Sequence, residues 1–180
     1  MDDLHVITGP PGSGKSTLID TLAAAGVRTS TEVGRRIIRD QVAIGGTALP
    51  WGDEQAFADL MIVEEVAAHA AAQAHGVPVV LDRGVPDVIA FLRASGLPVP
   101  PAFDAAARAH RYNRDVFLAP FWGEIFRTDP ERPGPPELAE RTEAVMRQTY
   151  ADYGYTLLEL PRAPVAARAD FVRSHLSADA

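Results

Sequence analysis

The sequence predicts an α/β fold, a three-layer sandwich with helices on both faces of a five-stranded parallel sheet. Two observations lead there. Five short runs rich in Val, Ile and Leu read as buried strands, at 4–8, 27–31, 77–82, 115–119 and 155–160. Helical patterns at 15–25, 33–44, 53–75, 86–95, 102–111, 137–153 and 163–176 lie between or beside them. Strands alternating with helices imply parallel pairing, and near-continuous apolar strands imply that both sheet faces are covered. A chain of 180 residues fits one domain spanning 1–180.

Two segments interrupt the alternation. Residues 45–52 form a glycine-containing loop with Pro50 and Trp51. Residues 121–136 are dense in proline and glycine and carry Arg127 and Arg132 without apolar periodicity. Long irregular segments in compact domains are typically lids, binding loops or disordered, and this one leaves a strand end, where open α/β sheets bind ligands. It is expected to act as a lid that orders with nucleotide.

Composition narrows the partners. Nearly half of the residues, 47%, are apolar, enough for a full core. Acids outnumber bases 24 to 17, for a net charge of −7, so general binding to nucleic acid or to a membrane is not expected. Cysteine is absent, which removes disulfides and thiolate metal sites. The acids Asp2 and Asp3 precede only a short apolar run, unlike a signal peptide, so a cytoplasmic location is expected. His69 and His75 lie six residues apart on a predicted helix, and His110 and His175 have no partner pattern, so no zinc site is expected.

The most specific motif is Gly9-Pro10-Pro11-Gly12-Ser13-Gly14-Lys15-Ser16, which matches G-x-x-x-x-G-K-[ST] throughout. It sits between an apolar strand and a helix, the context the chemistry requires. Such a loop wraps a polyphosphate with backbone N–H groups, and glycines permit the close approach. The helix beginning at Lys15 adds its positive dipole end. Lys15 is expected on the β- and γ-phosphates, Ser16 on Mg²⁺, and Thr17 beside them. A Gly-rich turn without a ligand is the bland alternative.

A second acid closes the run Val79-Val80-Leu81-Asp82-Arg83. Asp82 would support the Mg²⁺ shell; alternatively it caps the following helix. Arg83 follows, where hydrolytic AAA motors place a glutamate that polarises water. An arginine cannot act as that base and suits a phosphate or carboxylate instead, which favours phosphoryl transfer over steady hydrolysis.

The Asp82-Arg83 ending resembles that of thymidylate-kinase-like and deoxynucleoside-kinase-like enzymes. The chain as a whole resembles the small NadR-type AAA domain family, which includes a ribosylnicotinamide kinase domain. The resemblance rests on GPPGSGKST, TEVGRRIIRDQ, PWGDEQAFADLM, VVLDRGVPDVIAFL, RYNRDVFLAPFWGEIFRTDPER and YTLLELPRAPVAAR, which together cover nearly the whole length. It implies the strand order 2-3-1-4-5. It also implies an acid at Glu32 facing an acceptor pocket, as general base or hydroxyl clamp, although Glu32 also suits the first turn of a helix. Arg35, three residues on, either pairs with Glu32 or faces an anionic acceptor. In similar kinases the loop holding Arg162 packs against the nucleotide base, which makes Arg162 an adenine contact.

Further candidates come from residue type and place. Trp51 and Phe57 either cover a sugar-bearing or aromatic substrate or belong to the core. Arg127 and Arg132 either close on the transferring phosphoryl group or form a solvated charge run. No Asn-Lys-x-Asp signature follows a strand, so ATP is expected over GTP. The expected function is a Mg²⁺-dependent kinase passing the γ-phosphate of ATP to a small nucleoside- or nucleotide-like acceptor, as monomer or homodimer. Acceptor-independent NTP hydrolysis and nucleotide-gated binding without turnover are the alternatives.

Overall fold

The computed structural model describes residues 3–127 and 135–176. Strands β1 (Leu4–Thr8), β2 (Arg28–Thr29), β3 (Val79–Asp82), β4 (Asp115–Leu118) and β5 (Thr156–Glu159) form one sheet in the order β2-β3-β1-β4-β5. All four pairings are parallel, with Ile7 opposite Asp82 and Ile7 opposite Phe117 across the two flanks of β1. The strand order implied by the resemblance is therefore the observed one. Helices α1 (Lys15–Ala24), α2 (Val33–Ile44), α3 (Glu54–Gln73), α4 (Val85–Ala94), α5 (Pro101–Ala109), α6 (Pro136–Asp152) and α7 (Val165–Leu176) complete the α/β fold.

Strand periodicity sorts the core into two layers. Leu4, Val6, Val79, Leu81 and Val116 face one side, packed with residues of α2 to α6. Ile7, Val80 and Phe117 face the other, packed with Leu18, Ile19 and Leu22 of α1 and Ala169 and Val172 of α7. Successive side chains of one strand point to opposite faces, so neighbours such as Val116 and Phe117 serve different layers. Strands β1 and β3 lie in the middle and are buried at every position. Among the described residues, no helix is long and apolar enough to cross a membrane.

Where boundaries differ from expectation, the edge explains it. Strand β2 shrinks from the expected 27–31 to two residues because β3 alone pairs with it. The apolar run at 77–82 loses its first two positions, where Val77 is 42% exposed outside the ladder. Phe57 is buried in the α3 side of the core, which removes it from the ligand-contact candidates.

A buried polar knot ties β1, β3, α4 and α6 beneath the carboxyl edge of the sheet. Asp87 accepts hydrogen bonds from Thr8 Oγ1, Tyr150 Oη, Arg83 Nη1 and the Gly84 amide, at 2.5, 2.5, 3.2 and 3.0 Å. Removing that carboxylate takes the acceptor from three buried donors and leaves Arg83 only Glu32 and the Gly9 carbonyl. Asp87→Ala is expected to lower unfolding free energy by about 3–5 kcal/mol, measured by denaturant titration.

Candidate active site

The segment between β1 and α1 forms the floor of the site. Gly9 adopts φ +144°, and a Cβ there would overlap the Ala119 carbonyl oxygen at the end of β4, so only glycine lets the chain pass. Gly12 has φ +76°, and a Cβ would lie 2.6 Å from the Phe126 ring. The described start of the 121–136 segment is thus seated on the loop. A turn in which the Ile125 and Phe126 amides donate to the Trp122 carbonyl shapes that start. Residues 128–134, including Arg132, lie outside the described residues.

Lys15 begins α1 and folds back over the loop. Its ammonium donates to the carbonyls of Gly9 and Pro10, both at 2.7 Å, and to Ser13 Oγ at 3.2 Å. The loop is thereby closed around the ammonium of its own lysine. Ser16 and Thr17, one and two residues on, are exposed.

A cavity of about 430 Å³ opens over this loop, within the range of small-molecule sites. Its wall runs from Gly12 to Thr17, with Arg35 of α2, Trp122, Ile125 and Arg127, and with Ala163, Pro164, Val165 and Arg168 around the start of α7. Four of these residues are cationic and none is acidic, in a chain whose net charge is −7. Positive charge gathered in a concave site of an acidic protein draws anions there.

The ends of β2 and β3 supply the adjoining charges. Glu32, immediately before α2, accepts from Arg35 Nε at 3.1 Å and from Arg83 Nε at 2.8 Å. It makes no side-chain hydrogen bond that caps α2; its carboxylate holds the two arginines instead. Arg83 has φ +78°, an uncommon conformation for a residue with a side chain, and its Nη1 donates to the Gly9 carbonyl at 3.0 Å. Both ends of the guanidinium are therefore pinned between loop, Glu32 and Asp87.

Asp82 ends β3 beside this cluster, buried, with Oδ1 lacking any hydrogen-bond partner among the described residues. The capping alternative fails, because α4 begins at Val85 after Gly84 and it is Asp87 that accepts the Gly84 amide. Burial pushes the Asp82 carboxyl above its usual value, while Lys15 and Arg83 pull it down. A buried oxygen with no donor, next to a phosphate-type loop, fits a hydrated cation. Mg²⁺ keeps several waters and takes only one or two protein oxygens, so Asp82 with Ser16 is a sufficient set. No cluster of three or more His, Asp or Glu side chains able to hold a metal occurs among the described residues.

Two further expected contacts lie off this wall. Trp51 is 51% exposed and Arg162 is exposed, and neither is on the cavity wall. The neighbours of Arg162, Ala163 to Val165, form the wall in its place, because the turn after β5 directs Arg162 to solvent. Residue reading alone passed over Arg168, Asp87 and Glu65. Arg168 and Asp87 sit inside the pieces YTLLELPRAPVAAR and VVLDRGVPDVIAFL, which held the available signal. Glu65, on α3, had none, since a charged residue inside a helical pattern reads as solvated.

Glu65 is in fact buried. Burial, reinforced by the nearby Asp87 carboxylate, pushes its carboxyl well above the usual carboxylate value, against the pull of Arg83. A raised folded-state value means stability is fully present below the unfolded value and is lost as pH rises through the folded one. Glu65→Gln is expected to raise the melting temperature at pH 7 and above and to leave it little changed near pH 4, in a pH series of thermal melts.

Comparison with known proteins agrees with the fold. Residues 4–168 match a family described as an AAA domain. Among solved structures, deoxyadenosine kinase from M. mycoides with dCMP and a flexible dCDP bound superposes with a TM-score of 0.67 at 14% identity. The same kinase with bound dCTP gives 0.61 at 12% identity. In both cases 97% of this chain and 99% of the other are covered. No curated protein matches the sequence.

Proposed function

Because the chain belongs to the AAA domain family over residues 4–168, we propose that its cavity binds ATP and that it is a Mg²⁺-dependent kinase. The acceptor in this reading is a small nucleoside- or nucleotide-like molecule. The observation that carries the reading is the cationic cavity on the Gly9–Ser16 loop, joined through Arg35 and Gly9 to the Glu32–Arg83 pair. The fold shared with a deoxyadenosine kinase supports the choice of acceptor class.

In this reading, loop amides and Lys15 hold the phosphates, and Ser16 and Asp82 hold Mg²⁺, which supplies charge neutralisation on the phosphate oxygens. The γ-phosphoryl group of ATP would move to the acceptor hydroxyl, whose proton would pass to Glu32, and ADP would leave. A carboxylate held by two guanidiniums is a weak base. Phosphoryl transfer through a loose transition state asks little of the base and much of positioning, which Arg35 and Arg83 provide. Arg127 stands on the cavity wall where it neutralises charge on the transferring group. Arg83 leaves no glutamate beside Asp82 to activate water, which favours transfer over hydrolysis.

The test is ADP formation from Mg·ATP with and without a panel of nucleosides, nucleotides and sugars. Acceptor-dependent ADP release, with a phosphorylated product seen by mass spectrometry, is the expected result. ADP release indifferent to every acceptor would make the protein an NTPase. Tight ATP binding without turnover would make it a nucleotide-gated binding protein.

A further inference from the structure

Helix α7 sends one side chain toward the phosphate loop from behind. Arg168 is 4% exposed, its Nη2 donates to the Ser13 carbonyl at 3.1 Å, and its Nη1 lies 2.9 Å from where a Cβ on Gly14 would stand. Its Nε is buried with no hydrogen-bond partner among the described residues. Among the described residues no carboxylate pairs with it. Every other cation on the cavity wall has a different setting: Arg35 has Glu32, Lys15 has three loop oxygens, and Arg127 is exposed.

A guanidinium that is buried, charged at all ordinary pH values and lacking an anion is destabilising by itself. Burial lowers its proton affinity, but arginine does not shed its proton in proteins. Holding one carbonyl of a turn does not require a full charge, since a neutral amide would serve. The feature that balances such a cation is an anion from outside the chain, and among the described residues the cavity that Arg168 lines has no acidic side chain on its wall.

We propose that Arg168 is a nucleotide-binding residue, its guanidinium serving as the counter-charge to the polyphosphate held on the Gly9–Ser16 loop. This rests on the nucleotide reading above and adds a residue outside the motif to the site. The position suits the task. Ala169 and Val172, next to it and one turn on, are buried in the core layer shared with α1, so α7 is a rigid mount for the charge. Because Arg168 already grips Ser13, an anion drawing on the guanidinium also tightens the loop that binds it.

The experiment is calorimetric titration of the full chain with Mg·ATP, Mg·ADP and inorganic tripolyphosphate, for wild type, Arg168→Gln and Arg168→Lys, with a thermal melt of each ligand-free protein. Arg168→Gln is expected to bind all three ligands at least tenfold more weakly while melting at or above the wild-type temperature. Arg168→Lys is expected to recover part of the affinity. Wild-type affinity for ATP and ADP in Arg168→Gln overturns the proposal. So does a lower melting temperature in both variants with Lys no better than Gln at binding, which assigns Arg168 to holding the turn. Weaker ATP binding with unchanged tripolyphosphate binding also overturns it, because the contact is then to the base. Wild-type protein that binds no nucleotide instead defeats the underlying nucleotide reading.

Discussion

Lys15→Ala is expected to reduce ATP affinity or turnover at least tenfold, about 1.4 kcal/mol or more, while the fold persists. The Lys15 ammonium is held by three oxygens of its own loop. Those contacts keep the charge at the centre of the loop, where phosphate oxygens compete for the same donors. Alanine removes the cation from a site whose purpose is charge, and charge-assisted contacts are about twice as strong as neutral ones. The hydrophobic layers do not depend on this side chain, so the expected change in melting temperature is small. Isothermal titration with ATP and a thermal melt together check it. Unchanged affinity and turnover in a folded variant would falsify the assignment of the loop.

The second large effect is expected for Asp82→Asn. The amide keeps the shape of the side chain and loses its charge. Burial already pushes the Asp82 carboxyl above its ordinary value, so the folded state tolerates the charged form poorly. A group whose folded value is raised gives up stability as pH climbs through that value, and asparagine escapes this loss. The variant should therefore be as stable as wild type at pH 7, or more stable. Its Mg²⁺-dependent turnover should nonetheless fall by a factor of about a hundred, the scale typical of removing one charge-stabilising group at a reacting centre. Nucleotide binding in EDTA should change far less. Equal losses with and without Mg²⁺ would instead give Asp82 a role in shaping the loop.

The two effects differ in kind because the residues differ in what surrounds them. Lys15 is satisfied by the loop it serves, whereas Asp82 Oδ1 is buried with nothing to accept from. The first holds its place before ligand arrives. The second carries an electrostatic demand that a hydrated cation would relieve in the proposed reading.

Local residue patterns are enough to place the elements and their alternation. Strand β1 and helix α2 begin and end where the pattern of residues places them, because an unbroken apolar run and an amphipathic period are local properties. The phosphate-loop motif was equally legible, since its glycines answer to backbone angles within one short segment. Asp82 and Arg83 were visible as the charged end of an apolar strand. The strand order came with the family resemblance, as no local pattern encodes which strands lie side by side.

Which distant charges share a space depends on how the elements pack. Glu32 and Arg83 are 51 positions apart, and Ser13 and Arg168 are 155 apart, yet each pair is in contact. Parallel strands put every strand's carboxyl end on one edge, so residues far apart in the chain meet there. The exposure of Trp51 and Arg162, and the burial of Glu65 and Arg168, follow from which face of a helix or turn the rest of the chain covers. An arginine in a helical pattern reads as solvated until the loop it lies beneath is in place. Its charge and its motif neighbours are written in the sequence, but its lack of an anion is a property of the fold.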